Sequence, residues 1–303
     1  MSNRLKFFRE QMAAFEGAVS PQRAIDDRYY IPEPRKSVSE LISRRIGLRP
    51  SSTHLLLGGI GSGKTTQLLV TRDRINKEVE DVYAHYVDVS LYTDISEISI
   101  GVLIAVVGIV LSNLMKDSDS EFIKKNIALI EKLAYGYSEQ KVIDPLSGLS
   151  AVTKSFEPRV VLERYKGILT TKSNAQKKEL VEAVNQLNKA VISKYGCIVL
   201  LLDGLDRLDN TSSFSQVVTN DLQNLSSIGV GIVLVGPLRA LYDEYRDTLE
   251  QAVTYFDYQS CFDIENDPDA HVFSKNYRIT CIKRVYGRKR YTERYPLFWW
   301  GFT

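Results

Sequence analysis

The sequence has little cysteine and little histidine. Its three cysteines, Cys197, Cys261 and Cys281, show no C-x-x-C spacing. The three histidines, His54, His85 and His271, lie far apart along the chain. These spacings argue against the common zinc frameworks, and three unclustered thiols fit a reducing cytosol better than a disulfide scaffold. A dominant charge of one sign is also lacking. There are 39 Lys and Arg against 37 Asp and Glu, a formal net charge of +2, which by itself argues for no particular partner. No internal repeat or low-complexity tract is present, and residues 1–9 are charged, without the apolar core of a signal peptide. A cytoplasmic protein is therefore expected. The remainder is ordinary for a globular chain, with 44% hydrophobic and 25% charged residues. A length of 303 residues suffices for one large α/β domain or two small ones.

Against that plain background one stretch stands out. Gly58-Gly59-Ile60-Gly61-Ser62-Gly63-Lys64-Thr65 fits G-x-x-x-x-G-K-[ST], the phosphate-binding P-loop. The apolar run Leu55-Leu56-Leu57 before it reads as the end of a buried strand. Thr66-Gln67-Leu68-Leu69 after it reads as the first turns of a helix. That strand–loop–helix setting is the context the motif requires. Glycines let the backbone curl so that its N–H groups converge on an anion, and the helix N-terminus adds a favourable field. Gly58, Gly59, Gly61, Ser62, Gly63, Lys64, Thr65 and Thr66 are thus expected to bind the phosphates of ATP. Lys64 would reach the β- and γ-phosphates, and the Thr65 hydroxyl would take a place on Mg²⁺.

A second landmark is Cys197-Ile198-Val199-Leu200-Leu201-Leu202-Asp203-Gly204-Leu205-Asp206. A continuous apolar run of this kind is a strand buried on both faces, as in a parallel sheet. It ends in acids at the carboxyl edge, where open α/β sheets place their ligands. Asp203 is the expected metal acid, and Asp206 would position or polarise an attacking water. The strand Val230–Val235 runs into Gly236-Pro237-Leu238-Arg239, which makes Arg239 a candidate γ-phosphate sensor. Upstream, Tyr29, Tyr30 and Ile31 precede the P-loop in an extended stretch before Pro32 and Pro34. They are candidates to lie across the adenine.

Hydrophobic periodicity supplies the other elements. Helices are expected over 1–20, around Val38–Ile46, from the P-loop to about Asn76, and over 119–135 with Phe122, Ile127, Ile130 and Leu133 inward. Further helices are expected over 159–170, over 174–194, and within 212–227. Strands are expected at Val82–Val89 and Tyr258–Ile264, and residues 136–158 read as loop. Ile98–Met115 is a run of 18 residues without a charge. Its small residues Gly101, Ala105, Gly108 and Ser112 share one helical face. A membrane helix with a small packing face would look the same. The basic and aromatic flanks of a membrane span are missing, so a buried core helix is expected. Residues 267–303 mix Lys275, Arg278, Lys283, Arg284, Arg288, Lys289, Arg290 and Arg294 with Tyr277, Tyr286, Tyr291 and Tyr295. That is a nucleic-acid signal, but periodicity is poor, and a segment packed on the domain is the plainer reading.

Together, Gly-Gly-Ile-Gly-Ser-Gly-Lys-Thr-Thr at 58–66 and Leu-Leu-Leu-Asp-Gly-Leu-Asp-Arg-Leu at 200–208 resemble the STAND and AAA+ group of P-loop ATPases. The second motif is similar to that of NACHT and KAP ATPases. The resemblance spans roughly residues 25–265. It implies a three-layer P-loop NTPase fold with a five-stranded, mainly parallel sheet flanked by helices. It also implies ATP-driven switching or assembly, often in signalling or in defence against phage. Carried onto this sequence, Lys64 and Thr65 bind phosphate and Mg²⁺, Asp203 is the metal acid and Asp206 the hydrolytic acid. The expected organisation is an N-terminal helix over 1–24, an ATPase domain over 25–266 and a basic, aromatic segment over 267–303. A KAP protein would carry membrane helices between the motifs, and here only 98–115 can serve. A STAND protein would continue into further helical domains. A regulatory ATPase gating a protein partner or a homo-oligomer is expected first, and a DNA-associated AAA+ motor or loader second. A small-molecule kinase is disfavoured, because no Arg-rich lid is evident.

Overall fold

The structure, a computed structural model, describes residues 20–26, 30, 37–135, 137–140, 161–164, 168 and 174–260. Residues 1–19 of the helix expected over 1–20 and the segment 267–303 lie outside the described residues. In chain order the helices are α1 (Pro21–Asp26), α2 (Val38–Leu48), α3 (Lys64–Glu78), α4 (Val102–Leu114), α5 (Glu121–Tyr135) and α6 (Asn174–Tyr195). They continue with α7 (Thr211–Val217), α8 (Gln223–Ser227) and α9 (Arg246–Ala252). The strands are β1 (Thr53–Gly58), β2 (Val82–Asp88), β3 (Tyr137–Gln140), β4 (Val161–Arg164), β5 (Cys197–Asp203), β6 (Gly231–Pro237) and β7 (Tyr255–Gln259).

Five strands form one sheet in the order β2-β5-β6-β1-β7, and every neighbouring pair is parallel. Side chains alternate across it. Leu55, Leu57, Ile198, Leu200, Leu202, Ile232 and Leu234 face a core built with α4, α6 and the α7–α8 region. Leu56, Val199, Leu201, Val233 and Val235 face the other way, onto Ile42 and Ile46 of α2 and Leu68 and Ile75 of α3. Helices thus cover both faces, which makes three layers. The near-continuous apolar strands of the sequence follow from that double burial.

The uncharged run 98–115 becomes α4, 13 residues long, with Val102–Ser112 buried. Its small face meets other helices closely. A Cβ on Gly108 would sit 2.9 Å from Ile130 Cγ2 and 2.9 Å from Val184 Cγ2. No helix among the described residues is long and apolar enough to cross a membrane.

The N-terminus of α4 is buried, so its free N–H groups need partners. Asp221 supplies them: its carboxylate accepts from Gly101 N at 2.8 Å and from Leu103 N at 3.0 Å. Asp221 is itself fully buried, on a π-helical turn over Val218–Leu222 that joins α7 to α8. Burial pushes its carboxyl up to about 7, against the backbone N–H groups and Lys177, which pull it down. A carboxyl whose folded value is raised stabilises the fold at low pH, and that contribution is lost as pH rises through the folded value. The stability margin of wild type over Asp221→Asn should therefore shrink between pH 4 and 7 and level off above. The shift corresponds to roughly 4 kcal/mol at most. Urea melts of both proteins across that range check it, and a pH-independent margin would refute it.

Four expectations need correction. Residues 137–140 and 161–164 are not loop and helix. They pair antiparallel as β3 and β4, with Tyr137 opposite Arg164, a backbone pairing that side-chain periodicity does not announce. Phe122 points outward at 58% exposed. The inward side of α5 carries Ile123, Ile127, Ile130 and Ala134, at steps of four, three and four, and Leu133 packs on the core as expected. The last strand begins at Tyr255 because its register is set by β1, with His54 opposite Tyr255. The helix expected within 212–227 is split by the π turn that carries Asp221.

Candidate nucleotide site

The six residues of β1 are all buried, and the strand delivers the chain to the loop 59–63 at the carboxyl edge of the sheet. Two loop residues sit in the left-handed region, Gly61 at φ 83° and Gly63 at φ 89°, where a side chain is strained. Gly58 is glycine for a different reason. A Cβ there would lie 2.7 Å from the Gln259 carbonyl oxygen and 2.9 Å from Ser62 Oγ. Gly63 caps α3, so Lys64 and Thr65 stand on its first turn and Thr66 follows, half-buried.

Lys64 is 4% exposed. Its ammonium donates to the carbonyls of Gly58 at 3.0 Å and Gly59 at 2.8 Å, and pairs with Asp206 Oδ2 at 3.0 Å. Asp206 reaches it from a single 3₁₀ turn, Leu205–Arg207, directly after β5. Gly204, at φ 98°, makes the bend between Asp203 and that turn.

Asp203 ends β5 and is nearly buried, at 5% exposed. It lies on the same face as Val199 and Leu201, the face that α3 covers. Thr65 Oγ1 donates to its Oδ2 at 2.7 Å, and the Gly204 N–H donates to its Oδ1 at 2.8 Å. The Tyr86 hydroxyl, from β2, also donates to Oδ2, at 2.9 Å. Burial, with Asp203 beside it, raises the phenol well above its ordinary range, so it stays a donor.

Of the residues expected from sequence, Gly58, Gly59, Ser62, Lys64, Thr65, Asp203 and Asp206 are drawn together at this edge. Arg239 stands apart from that cluster. It lies on the 3₁₀ turn after β6, with its side chain 71% exposed, 3.6 Å from Asp209. Tyr30 is half-buried, and its N–H donates to the Ala24 carbonyl at 3.0 Å. Tyr29 and Ile31 lie outside the described residues. Tyr86 was missed. The alternation Val82, Ala84, Tyr86 along β2 was a usable signal, since it sets Tyr86 on the Asp203 face once β2 is placed beside β5.

The residues present fit a phosphate chain with a magnesium ion. Ser62 Oγ is buried without a protein partner, beside Gly58, where a Cβ would meet that hydroxyl and the Gln259 carbonyl of β7. The Thr65 hydroxyl and the Asp203 carboxylate are adjacent hard oxygen donors of the kind Mg²⁺ takes. Among the described residues no group of three or more His, Cys, Asp or Glu can hold a metal alone. A magnesium ion at Thr65 and Asp203 would need phosphate oxygens and water to complete its shell.

The fold and the loop are those of a P-loop NTPase. No family model matches the sequence, and no curated protein matches it. A number of solved structures are similar to it, among them the following two. One is the Aeropyrum pernix ORC1 protein in complex with DNA, at 12% identity and a TM-score of 0.39, covering 82% of this chain and 50% of that one. The other is Drosophila ORC bound to DNA, at 14% identity and a TM-score of 0.35, covering 81% of this chain and 46% of that one. This chain spans about half the length of each.

A second polar cluster lies at the amino end of β1. Ser52 Oγ is 3.0 Å from His54 Nε2, and His54 Nδ1 is 3.8 Å from Asp257 Oδ2. The order Ser–His–Asp suggests a nucleophile, but the setting does not. Ser52 and His54 are fully buried, Ser52 donates to the Arg49 carbonyl, and Arg45 grips both Asp257 oxygens at 2.7 and 2.8 Å. Arg45 also lies 4.3 Å over the Tyr255 ring. Burial lowers the His54 pKa, which keeps the ring neutral. The cluster pins α2 to the β7 edge of the sheet.

Proposed function

We propose that this chain is a Mg²⁺-dependent ATP-binding P-loop ATPase of the AAA+ kind, whose nucleotide state gates a protein partner or an assembly of its own copies. The observation that carries the reading is the convergence of Thr65 on Asp203 and of Lys64 on Asp206, at 2.7 and 3.0 Å, beside the glycine loop. In this reading the loop N–H groups and Lys64 hold the phosphates, and Thr65 and Asp203 hold the metal. Magnesium would neutralise the charge of the β- and γ-oxygens. Asp206 would orient the attacking water from the 3₁₀ turn. Arg239 would sense the γ-phosphate on leaving Asp209, and an exposed ion pair of that kind resists little. Tyr30 and Ile31 would lie near the base. The finer grouping with STAND proteins of NACHT or KAP type rests on the motif at 200–208 alone.

Asp206→Asn tests the hydrolytic step. The amide keeps the shape of the side chain but cannot accept a proton or hold a water with a full charge. It should bind ATP with near wild-type affinity and lose hydrolysis by roughly 100-fold or more. Asp203→Asn should weaken Mg²⁺-dependent binding as well. Phosphate release and filter binding on the two variants check this. Normal turnover by Asp206→Asn would sink the assignment.

A second reading, a DNA-associated AAA+ motor or loader, is favoured by the basic residues and tyrosines between Lys275 and Tyr295. DNA that stimulates turnover several-fold in a salt-dependent manner would decide for it.

A further inference from the structure

We propose that Tyr86 is a positioning residue that holds Asp203 in its metal-binding orientation. The inference rests on the reading of Asp203 as the magnesium acid. Asp203 Oδ2 takes two hydroxyl donors, Thr65 at 2.7 Å and Tyr86 at 2.9 Å, while Oδ1 takes the Gly204 N–H at 2.8 Å. The two hydroxyls come from different places. Thr65 stands on the first turn of α3, and its oxygen is the one that faces a metal in this reading. Tyr86 comes from β2, one of the two edge strands, where it pairs in register with Leu201, two residues before Asp203.

The Tyr86 ring is half-buried and packed against the apolar cluster under α2 and α3. Packing therefore fixes the ring, and the ring fixes the hydroxyl. Thr65 must divide its oxygen between a cation and Asp203, whereas Tyr86 has no such second duty. With the Gly204 N–H on Oδ1, it remains as the side-chain donor on Oδ2 that stops the carboxylate from swinging about its last bond. Groups that orient a ligating carboxylate in this way change metal affinity by roughly 10–100-fold when removed.

Tyr86→Phe keeps the ring and deletes only the hydroxyl. Three quantities are read on wild type and variant: the Mg²⁺ concentration that half-saturates binding of a fluorescent ATP analogue, the affinity for that analogue in EDTA, and the ligand-free melting temperature. The Mg²⁺ half-point should rise about tenfold, with the other two unchanged. An unchanged half-point overturns the proposal. So does equal weakening with and without Mg²⁺, or a lowered melting temperature with no change in metal dependence, since either assigns Tyr86 to packing alone. Wild-type protein that fails to bind the analogue, or binds it without regard to Mg²⁺, overturns the reading of the site itself and this inference with it. The wild-type titration thus separates the two failures.

Discussion

Lys64→Ala should weaken ATP binding by roughly 100-fold or more while leaving the fold intact. The ammonium of Lys64 has three hydrogens, and three oxygens surround it: the Gly58 and Gly59 carbonyls and Asp206 Oδ2. It is almost fully enclosed. A phosphate oxygen arriving at the loop meets a desolvated, fixed positive charge, where hydrogen bonds between ions are strong. Each such bond is worth about 1.5–3 kcal/mol, so losing the side chain should weaken binding by roughly 100-fold or more. The truncation also leaves Asp206 without its cation beside the triphosphate, which adds repulsion. The fold should tolerate the change. Lys64 begins α3, and alanine is the best residue for a helix interior. Titration with labelled ATP, with circular dichroism as the control for folding, checks both halves. A folded Lys64→Ala protein with wild-type affinity would remove the basis of the proposed function.

Much of this site was legible in the sequence because its chemistry is local. A P-loop is eight consecutive residues, and its strand and helix adjoin it, so the motif carries its own geometry. Asp203 was legible for a related reason: the five buried apolar residues Ile198–Leu202 of β5 run straight into it. Asp206 follows at three residues, close enough for a single turn to aim it back at Lys64. What sequence could not supply were pairings between distant segments. Tyr86 meets Asp203 only because β2 lies beside β5, 117 residues apart in sequence at that bond. Asp221 meets the N-terminus of α4 across 120 residues, from a π turn that no local pattern marked. The antiparallel pairing of 137–140 with 161–164 escaped for the same reason. Phe122 was misplaced by one step of helical phase, since both Phe122 and Ile123 are apolar and only packing against α6 chooses between them.

The buried run has the same logic on a larger scale, and Leu103→Asp should unfold the domain. Leu103 is fully buried, among residues of α4 that fill the core between the sheet and its helices. Removing a buried leucine side chain costs about 2–5 kcal/mol, and enclosing an unpaired carboxylate costs several more. The sum, roughly 6 kcal/mol or more, takes up most of the stability of an ordinary domain. The site is worse than average for an acid. The Leu103 N–H already donates to Asp221 Oδ2 at 3.0 Å, so a second carboxyl would be placed near the first. Leu103→Met is the matched control, because a swap that conserves volume costs under about 1.5 kcal/mol. The methionine variant should melt cooperatively within a few degrees of wild type, and the aspartate variant should show no cooperative transition. A helix lying in a membrane makes another forecast: the protein would sediment with membranes, and deleting 98–115 would leave a folded ATPase. A cooperative melt of Leu103→Asp at the wild-type temperature would show that α4 is not the core, and the layer it forms over the sheet would have to be reassigned.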